Sequence, residues 1–332
     1  MPEVLARKHD QKAKAFARKL NKYTIRLDKI INEIAITDEV SNVFWLRKQR
    51  ELKAVYEDLR KTEYEWFKYE MPIAYNEKAQ LEIRKIKGRQ VVPREYKDRI
   101  SYRNFINKDL SKQSVKALIE NAATTLEIGL LQGEKAFVSL MRLTQQINLS
   151  EKQIAKALAT GFRKTGTVQG ARKSLQKQLL KKAVDGKYIK IINKNGQDMF
   201  FNIKSYSELV ARTKMRDVST ISVLNVAAEV QSDLVEVSAH NTTTAICMPY
   251  EGKVFSLSGS NRDFPILDAT TPFHPNCLHS ISVAIVEAMI ADGTYRKYSE
   301  FSLGGVQEHP TRKSFVPVAD RTDKWIASIK IK

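Results

Sequence analysis

Lys187-Tyr188-Ile189-Lys190-Ile191-Ile192-Asn193-Lys194-Asn195-Gly196-Gln197-Asp198-Met199-Phe200-Phe201-Asn202-Ile203 marks the point where the chain changes character. Two runs rich in Ile, Tyr and Phe flank Asn195-Gly196, a pair that tolerates positive φ and favours a tight β-turn. The stretch predicts a β-hairpin. Ser205-Tyr206-Ser207-Glu208 follows with capping-box spacing and predicts a helix opening there and running to about Gln231. Strand-like runs come next at 233–239, 253–257 and 280–286. Residues 187–292 therefore read as a small α+β module. Residues 293–332, with Gly304-Gly305, Pro310 and Pro317, read as an extended tail.

Upstream of the hairpin the pattern is helical. Residues 4–36 predict one charged helix, with apolar residues at Phe16, Leu20, Tyr23, Ile25, Leu27, Ile30, Ile31 and Ile34. Residues 42–70 predict a second, with Leu46, Leu52, Val55, Tyr56, Leu59 and Trp66 at three-and-four spacing. Pro72 is expected to close it, because proline lacks the N–H that a helix interior requires. Narrow stripes on two long helices suggest a hairpin, residues 1–110, that docks on another chain. Residues 111–186 read as a basic helical region. Within it, 112–182 predict three or four shorter helices, with Ser150-Glu151-Lys152-Gln153 as a capping box and breaks at Gly166 and Gly170. The fold class is α+β.

Charge separates these parts further. The 332 residues carry a net +19, with a pI near 9.7. Residues 151–200 hold 12 Lys and Arg against 3 Asp and Glu, whereas 201–300 hold 8 against 11. A polyanion partner should therefore meet the first 200 residues, most directly at Arg163, Lys164, Arg172, Lys173, Lys177, Lys181 and Lys182. Double-stranded DNA held non-specifically through its phosphates fits such a surface. A solvated Lys-rich helix face fits it as well. Two cysteines exclude a disulfide scaffold. No apolar run reaches the ~18 residues of a membrane span. Met1-Pro2-Glu3 opens no secretory signal, so a reducing cytoplasm is the expected place of synthesis.

Both cysteines and three of the five histidines fall within 40 residues: His240, Cys247, His274, Cys277 and His279. Zinc takes four N or S ligands in a tetrahedron, often as close pairs joined by the fold. Three readings fit these residues. One is a structural zinc site, one a hydrogen-bonded turn with neutral buried thiols, and one a catalytic thiolate or metal-bound water. Common enzyme templates do not fit. The chain has no Walker loop, no His-Glu-x-x-His and no Gly-x-Ser-x-Gly. His-x-Glu with Pro-Cys-x-x-Cys, the deaminase signature, is also missing. His274 and His279 stand too close together for an HNH-type metal motif.

Three segments occur in a fixed order: Tyr206-Ser207-Glu208-Leu209-Val210-Ala211-Arg212-Thr213-Lys214-Met215-Arg216, then Glu251-Gly252-Lys253-Val254-Phe255-Ser256-Leu257-Ser258-Gly259, then His274-Pro275-Asn276-Cys277-Leu278-His279-Ser280. Together they resemble the minor capsid and head morphogenesis proteins of tailed bacteriophages, the Mu F-like group, over roughly residues 185–290. Members of that group commonly close with His-Pro-Asn-Cys-Arg-Cys or Asn-Cys-Arg-His. Here Leu278 replaces the arginine, and His279 stands where Cys or His is usual. Exchange between Cys and His suits a metal ligand. The resemblance implies a low-copy virion protein inside the head near the portal, made in the host cytoplasm. It implies a part in procapsid assembly, DNA packaging or delivery, with portal protein, capsid interior and double-stranded DNA as partners. It implies no enzymatic activity and at most one structural Zn2+. Mu F-like modules are also joined to ADP-ribosyltransferases, which would cast Arg212 and Ser219 as catalytic. The Glu-x-Glu or Gln-x-Glu of arginine-specific members is missing, and Arg212 is expected to pair locally on an amphipathic helix. A non-specific DNA-binding protein is the third alternative.

Overall fold

The computed structural model describes residues 2–36, 41–149, 188–192, 198–240, 244–274 and 277–295. Helices α1 (Pro2–Lys19), α2 (Asn21–Ile36) and α3 (Asn42–Gly88) are followed by short α4 (Arg94–Arg99) and α5 (Tyr102–Asn107), then by α6 (Asp109–Leu149). Strands β1 (Tyr188–Ile192) and β2 (Asp198–Asn202) lead into α7 (Ile203–Val230). Strands β3 (Leu234–Val237), β4 (Val254–Ser256) and β5 (Ile281–Ala284) and helix α8 (Val286–Ala291) complete the order. The α+β class is as expected. The basic residues Arg163, Lys164, Arg172, Lys173, Lys177, Lys181 and Lys182, the Ser150 capping box, the Asn195-Gly196 turn and nearly all of the tail lie outside the described residues.

Four local expectations need correction. The single helix over 4–36 is two helices that part at Leu20, whose carbonyl accepts the Tyr23 N–H at 3.0 Å in a tightened turn. Neither Pro nor Gly lies between residues 17 and 23, so no breaker marks the spot. Pro72 does not end α3 but sits inside it. An interior proline costs about 3 kcal/mol. The apolar stripe runs on past it through Met71, Ala74, Tyr75, Ala79, Ile83 and Ile86, all buried. Each large member of that stripe contributes roughly 1.5–3 kcal/mol on burial, which offsets the proline. Up to Leu149, the several short helices expected from 112 onward are one helix, α6. Ser205 is not an N-cap, because α7 opens two residues earlier, directly from β2. Two stripe positions also fail: Ile25 and Leu46 are more than half exposed.

The chain forms two compact units, each assembled from separated segments. The second unit takes residues 13–67 and 121–210. Its aromatic centre is Phe16, stacked on Trp66 at 4.4 Å and tilted against Phe67. Tyr23 Oη lies 2.5 Å from Thr62 Oγ1. Tyr206 donates to the Thr125 carbonyl at 2.9 Å. Gly129 makes room for that ring, since a Cβ there would fall 2.5 Å from it. The predicted hairpin is present: β1 and β2 pair antiparallel, with Ile192 opposite Asp198.

The first unit takes residues 1–12, 68–120 and 211–332. Tyr75 is its polar hub. Its hydroxyl accepts from Asn225 at 2.6 Å and donates to Ser111 at 3.2 Å, and its carbonyl accepts from Ser222. From Ala211 to Val230, α7 is buried on nearly every side, which marks it as the central helix of this unit. The expected strands form one antiparallel sheet in the order β4-β3-β5. Val235 stands opposite both Phe255 and Val283. Leu234, Val254, Phe264 and Ala284 make a buried cluster over which Met289 and Tyr295 pack.

Candidate metal centre

Sheet topology decides where the cysteines and histidines meet. Strand β3 runs antiparallel to both neighbours, so its C-terminal end lies beside the starts of β4 and β5. His240 follows β3, Cys247 and Glu251 precede β4, and Cys277 and His279 precede β5. Consecutive turns coil the stretch before β4. Cys247 N–H donates to the Thr244 carbonyl at 2.9 Å, and Glu251 N–H donates to the Cys247 carbonyl at 3.2 Å. Gly252 then reverses the chain at φ 67°, a left-handed value that glycine adopts without strain. Lys253 joins the sheet through its carbonyl, which accepts the Val237 N–H at 2.9 Å. On the other side Ser238 N–H donates to the Ser280 carbonyl, and Ser280 N–H returns a bond to Ser238 Oγ, both at 2.9 Å.

Cys247, Cys277 and His279 are brought together and all three are buried. Cys247 Sγ lies 3.9 Å from Cys277 Sγ, which lies 3.5 Å from His279 Nδ1. A tetrahedral zinc with bonds of about 2.3 Å to sulfur and about 2.0 Å to nitrogen sets these separations near ~3.8 Å and ~3.5 Å. The three donors therefore fit a metal ion. His240 stands beside them, its ring edge-on to His279 with centroids 5.1 Å apart and its Nε2 2.9 Å from Ser238 Oγ. His274 meets the group through its backbone, its carbonyl accepting the Cys277 N–H at 3.0 Å.

Electrostatics favours the neutral forms in the absence of an ion. Burial, and then the neighbouring Cys277 thiol, push Cys247 up to about 12. Burial and then His240 lower His279, which keeps its imidazole neutral and able to ligate. Metal entry would displace the thiol protons, so affinity rises with pH.

Two residues not foreseen as part of the site hold it in place. Arg216 of α7 donates to the Cys277 carbonyl and to both oxygens of Asp10, each at 3.1 Å. Glu251 accepts the His240 backbone N–H and lies 3.7 Å from His279 Nε2. The signal for both was present, because each sits in one of the three quoted segments. What spacing could not show is that all three segments converge on this one site. Arg212 does not confine its pairing to its own helix, since its Nε lies 3.5 Å from Asp10. Ser219 donates to the Met215 carbonyl one turn back.

Residues 148–294 match the model of a family described as phage minor capsid protein 2. The matched segment contains all five candidate ligands and bears out the resemblance to phage minor capsid proteins. No curated protein and no solved structure matches the chain. No helix among the described residues is long and apolar enough to cross a membrane.

Proposed function

We propose that the chain is a minor structural protein of a phage head, placed inside the capsid near the portal, where it serves procapsid assembly and DNA packaging or delivery. The family match over 148–294 carries this reading. The charge supports it: 12 basic residues against 3 acidic between 151 and 200 suit contact with packaged DNA phosphates. In this reading residues 1–110 dock on portal or capsid neighbours, 111–186 meet DNA, 187–292 form the module and 293–332 lie on a surface. No reaction is assigned. A structural zinc held by Cys247, Cys277 and His279, with His240 beside them, would tie the start of β4 to the start of β5.

Protease treatment of intact, nuclease-washed virions tests the placement. The chain should survive while heads are closed and be cut once they are opened; cleavage in closed heads overturns interior placement. Purified chain should co-sediment with portal oligomers. Its DNA binding should fall about 10³-fold or more between roughly 50 and 200 mM salt if six or more phosphates are engaged. Salt-steep binding without portal association would instead favour a DNA-binding protein. Elemental analysis should find about one zinc per chain, lost in Cys277→Ser along with a lower Tm. No zinc and an unchanged Tm would leave ordinary turn chemistry.

A further inference from the structure

The two nitrogens of His279 face different chemistry. Nδ1 points at the thiols, 3.5 Å from Cys277 Sγ. Nε2 points the other way, 3.7 Å from Glu251 Oε1, and is buried without a hydrogen-bond partner among the described residues. An imidazole that ligates a metal through one nitrogen carries its proton on the other. A carboxylate or carbonyl usually receives that proton, which fixes the ring and strengthens the ligand. A buried N–H donor needs such a partner in any case. Closing 3.7 Å to an ordinary N–H···O distance of about 2.9 Å requires less than 1 Å of movement.

We infer that Glu251 is the positioning residue of the metal centre: it accepts Nε2–H of His279 and presents Nδ1 to the ion. Glu251 is built to hold still. Its carboxylate already accepts the His240 backbone N–H, and its own N–H is bonded to the carbonyl of Cys247, one of the ligands. Gly252 makes the turn that sets it there. Glu251 thus couples the Cys247 loop to His279 without ligating, which gives the Glu251-Gly252 pair a reason to stand before β4.

This inference rests on the metal reading, and the test separates the two. The full-length chain is titrated with Co2+, whose thiolate charge-transfer and ligand-field bands report the ligand set, and affinity is read by chelator competition. Wild type should bind one ion. Glu251→Ala should bind about 10–100-fold more weakly with unchanged bands. Glu251→Gln, which keeps an acceptor oxygen, should lose only several-fold. Cys277→Ser should lose charge-transfer intensity. In zinc-loaded chain labelled with 15N-histidine, His279 should be the Nε2–H tautomer. If wild type binds no ion, the metal reading and this inference fall together. If wild type binds and Glu251→Ala binds equally well, the inference alone falls. It falls too if Glu251→Ala changes the ligand-field bands, since Glu251 would then be a ligand, or if His279 is protonated at Nδ1. Should the alanine chain not fold, the glutamine variant and the tautomer decide.

Discussion

Two buried glutamates, one in each unit, are held in opposite ways. In the second unit, Glu63 has a hydroxyl partner and makes no ion pair among the described residues. It is 1% exposed, receives Ser207 Oγ at 2.6 Å, and its other oxygen has no hydrogen-bond partner among the described residues. Burial pushes its carboxyl up to about 8, with the Ser207 bond and the charge of Arg60 only partly opposing it. In the first unit, Glu82 is equally buried but lies 2.9 Å from both Lys78 and Lys85. Burial alone would raise it too, yet the two ammoniums outweigh burial and hold it below the usual carboxylate range. Equal burial gives a neutral acid in one unit and an anion in the other. At equal depth, the partner decides the charge.

The sharpest way to break that comparison is to remove the partner. Glu82→Gln leaves Lys78, itself 2% exposed, with no counter-charge among the described residues. Removing one member of a buried pair costs about 3–5 kcal/mol, so chemical denaturation should show a loss of that order. Glu82→Leu with Lys78→Met should recover most of it. A single variant that loses less than about 1 kcal/mol would mean that water reaches the pair.

Asp10 gives a milder form of the same effect. It receives both Arg212 and Arg216 of α7. Asp10→Asn keeps an acceptor but removes the charge, and Arg216 still has the Cys277 carbonyl. The expected loss is about 1.5–3 kcal/mol, the range for hydrogen bonds to charged groups. Because Arg216 anchors Cys277, metal affinity should fall with it.

Glu63 sharpens the comparison through pH. Its folded value, about 8, lies above the unfolded 4.5. Its contribution is therefore fully present below the unfolded value and is lost as pH rises through the folded one. Glu63→Gln carries no such slope. Between pH 5 and 8 the variant should gain on wild type by at most about 1.4 kcal/mol per pH unit, and the gap should level off above pH 8. Parallel stability curves across that window would show that Glu63 is ionised in the fold. Arg60 and Tyr206 are the titratable neighbours that feel it.

These contrasts also explain what was legible. Asn195-Gly196 and its flanking β-branched and aromatic runs announce β1 and β2, because turn chemistry and period-2 patterning are local. The three later strands are legible for the same reason. Pro72 misleads because the stripe that rescues α3, from Met71 to Ile86, acts through tertiary burial. Nothing local separates α1 from α2 at Leu20. Cys247, Cys277 and His279 could be named from residue type, since few side chains ligate metals. Glu251 and Arg216 stand in the quoted segments, but a carboxylate and a guanidinium acquire a positioning role only from what the sheet and α7 set beside them. Glu63 and Glu82 both lie on α3, but their one-turn neighbours differ: Leu59, Arg60, Trp66 and Phe67 flank Glu63, whereas Lys78, Ala79, Lys85 and Ile86 flank Glu82.

The weakest expected effect completes the comparison at the surface. Arg26 and Asp58 make an ion pair at 2.7 Å, shorter than the 2.9 Å of Lys78 and Glu82. Distance alone would rank it stronger. Their side chains are 46% and 56% exposed, however, against 3% and 1% for the buried pair. Water solvates both charges whether or not they meet, so the Coulomb gain is small and ordering two long side chains takes up part of it. A double-mutant cycle with Arg26→Ala and Asp58→Ala should give a coupling of about 0.2–1 kcal/mol. The coupling should shrink as salt approaches 1 M, where screening acts within about 3 Å. The same cycle on Lys78 and Glu82 should be larger and nearly indifferent to salt, because ions cannot enter to screen it. Equal couplings in the two cycles would mean that geometry outranks dielectric in this protein, and the burial-driven rise assigned to Glu63 would then need another cause.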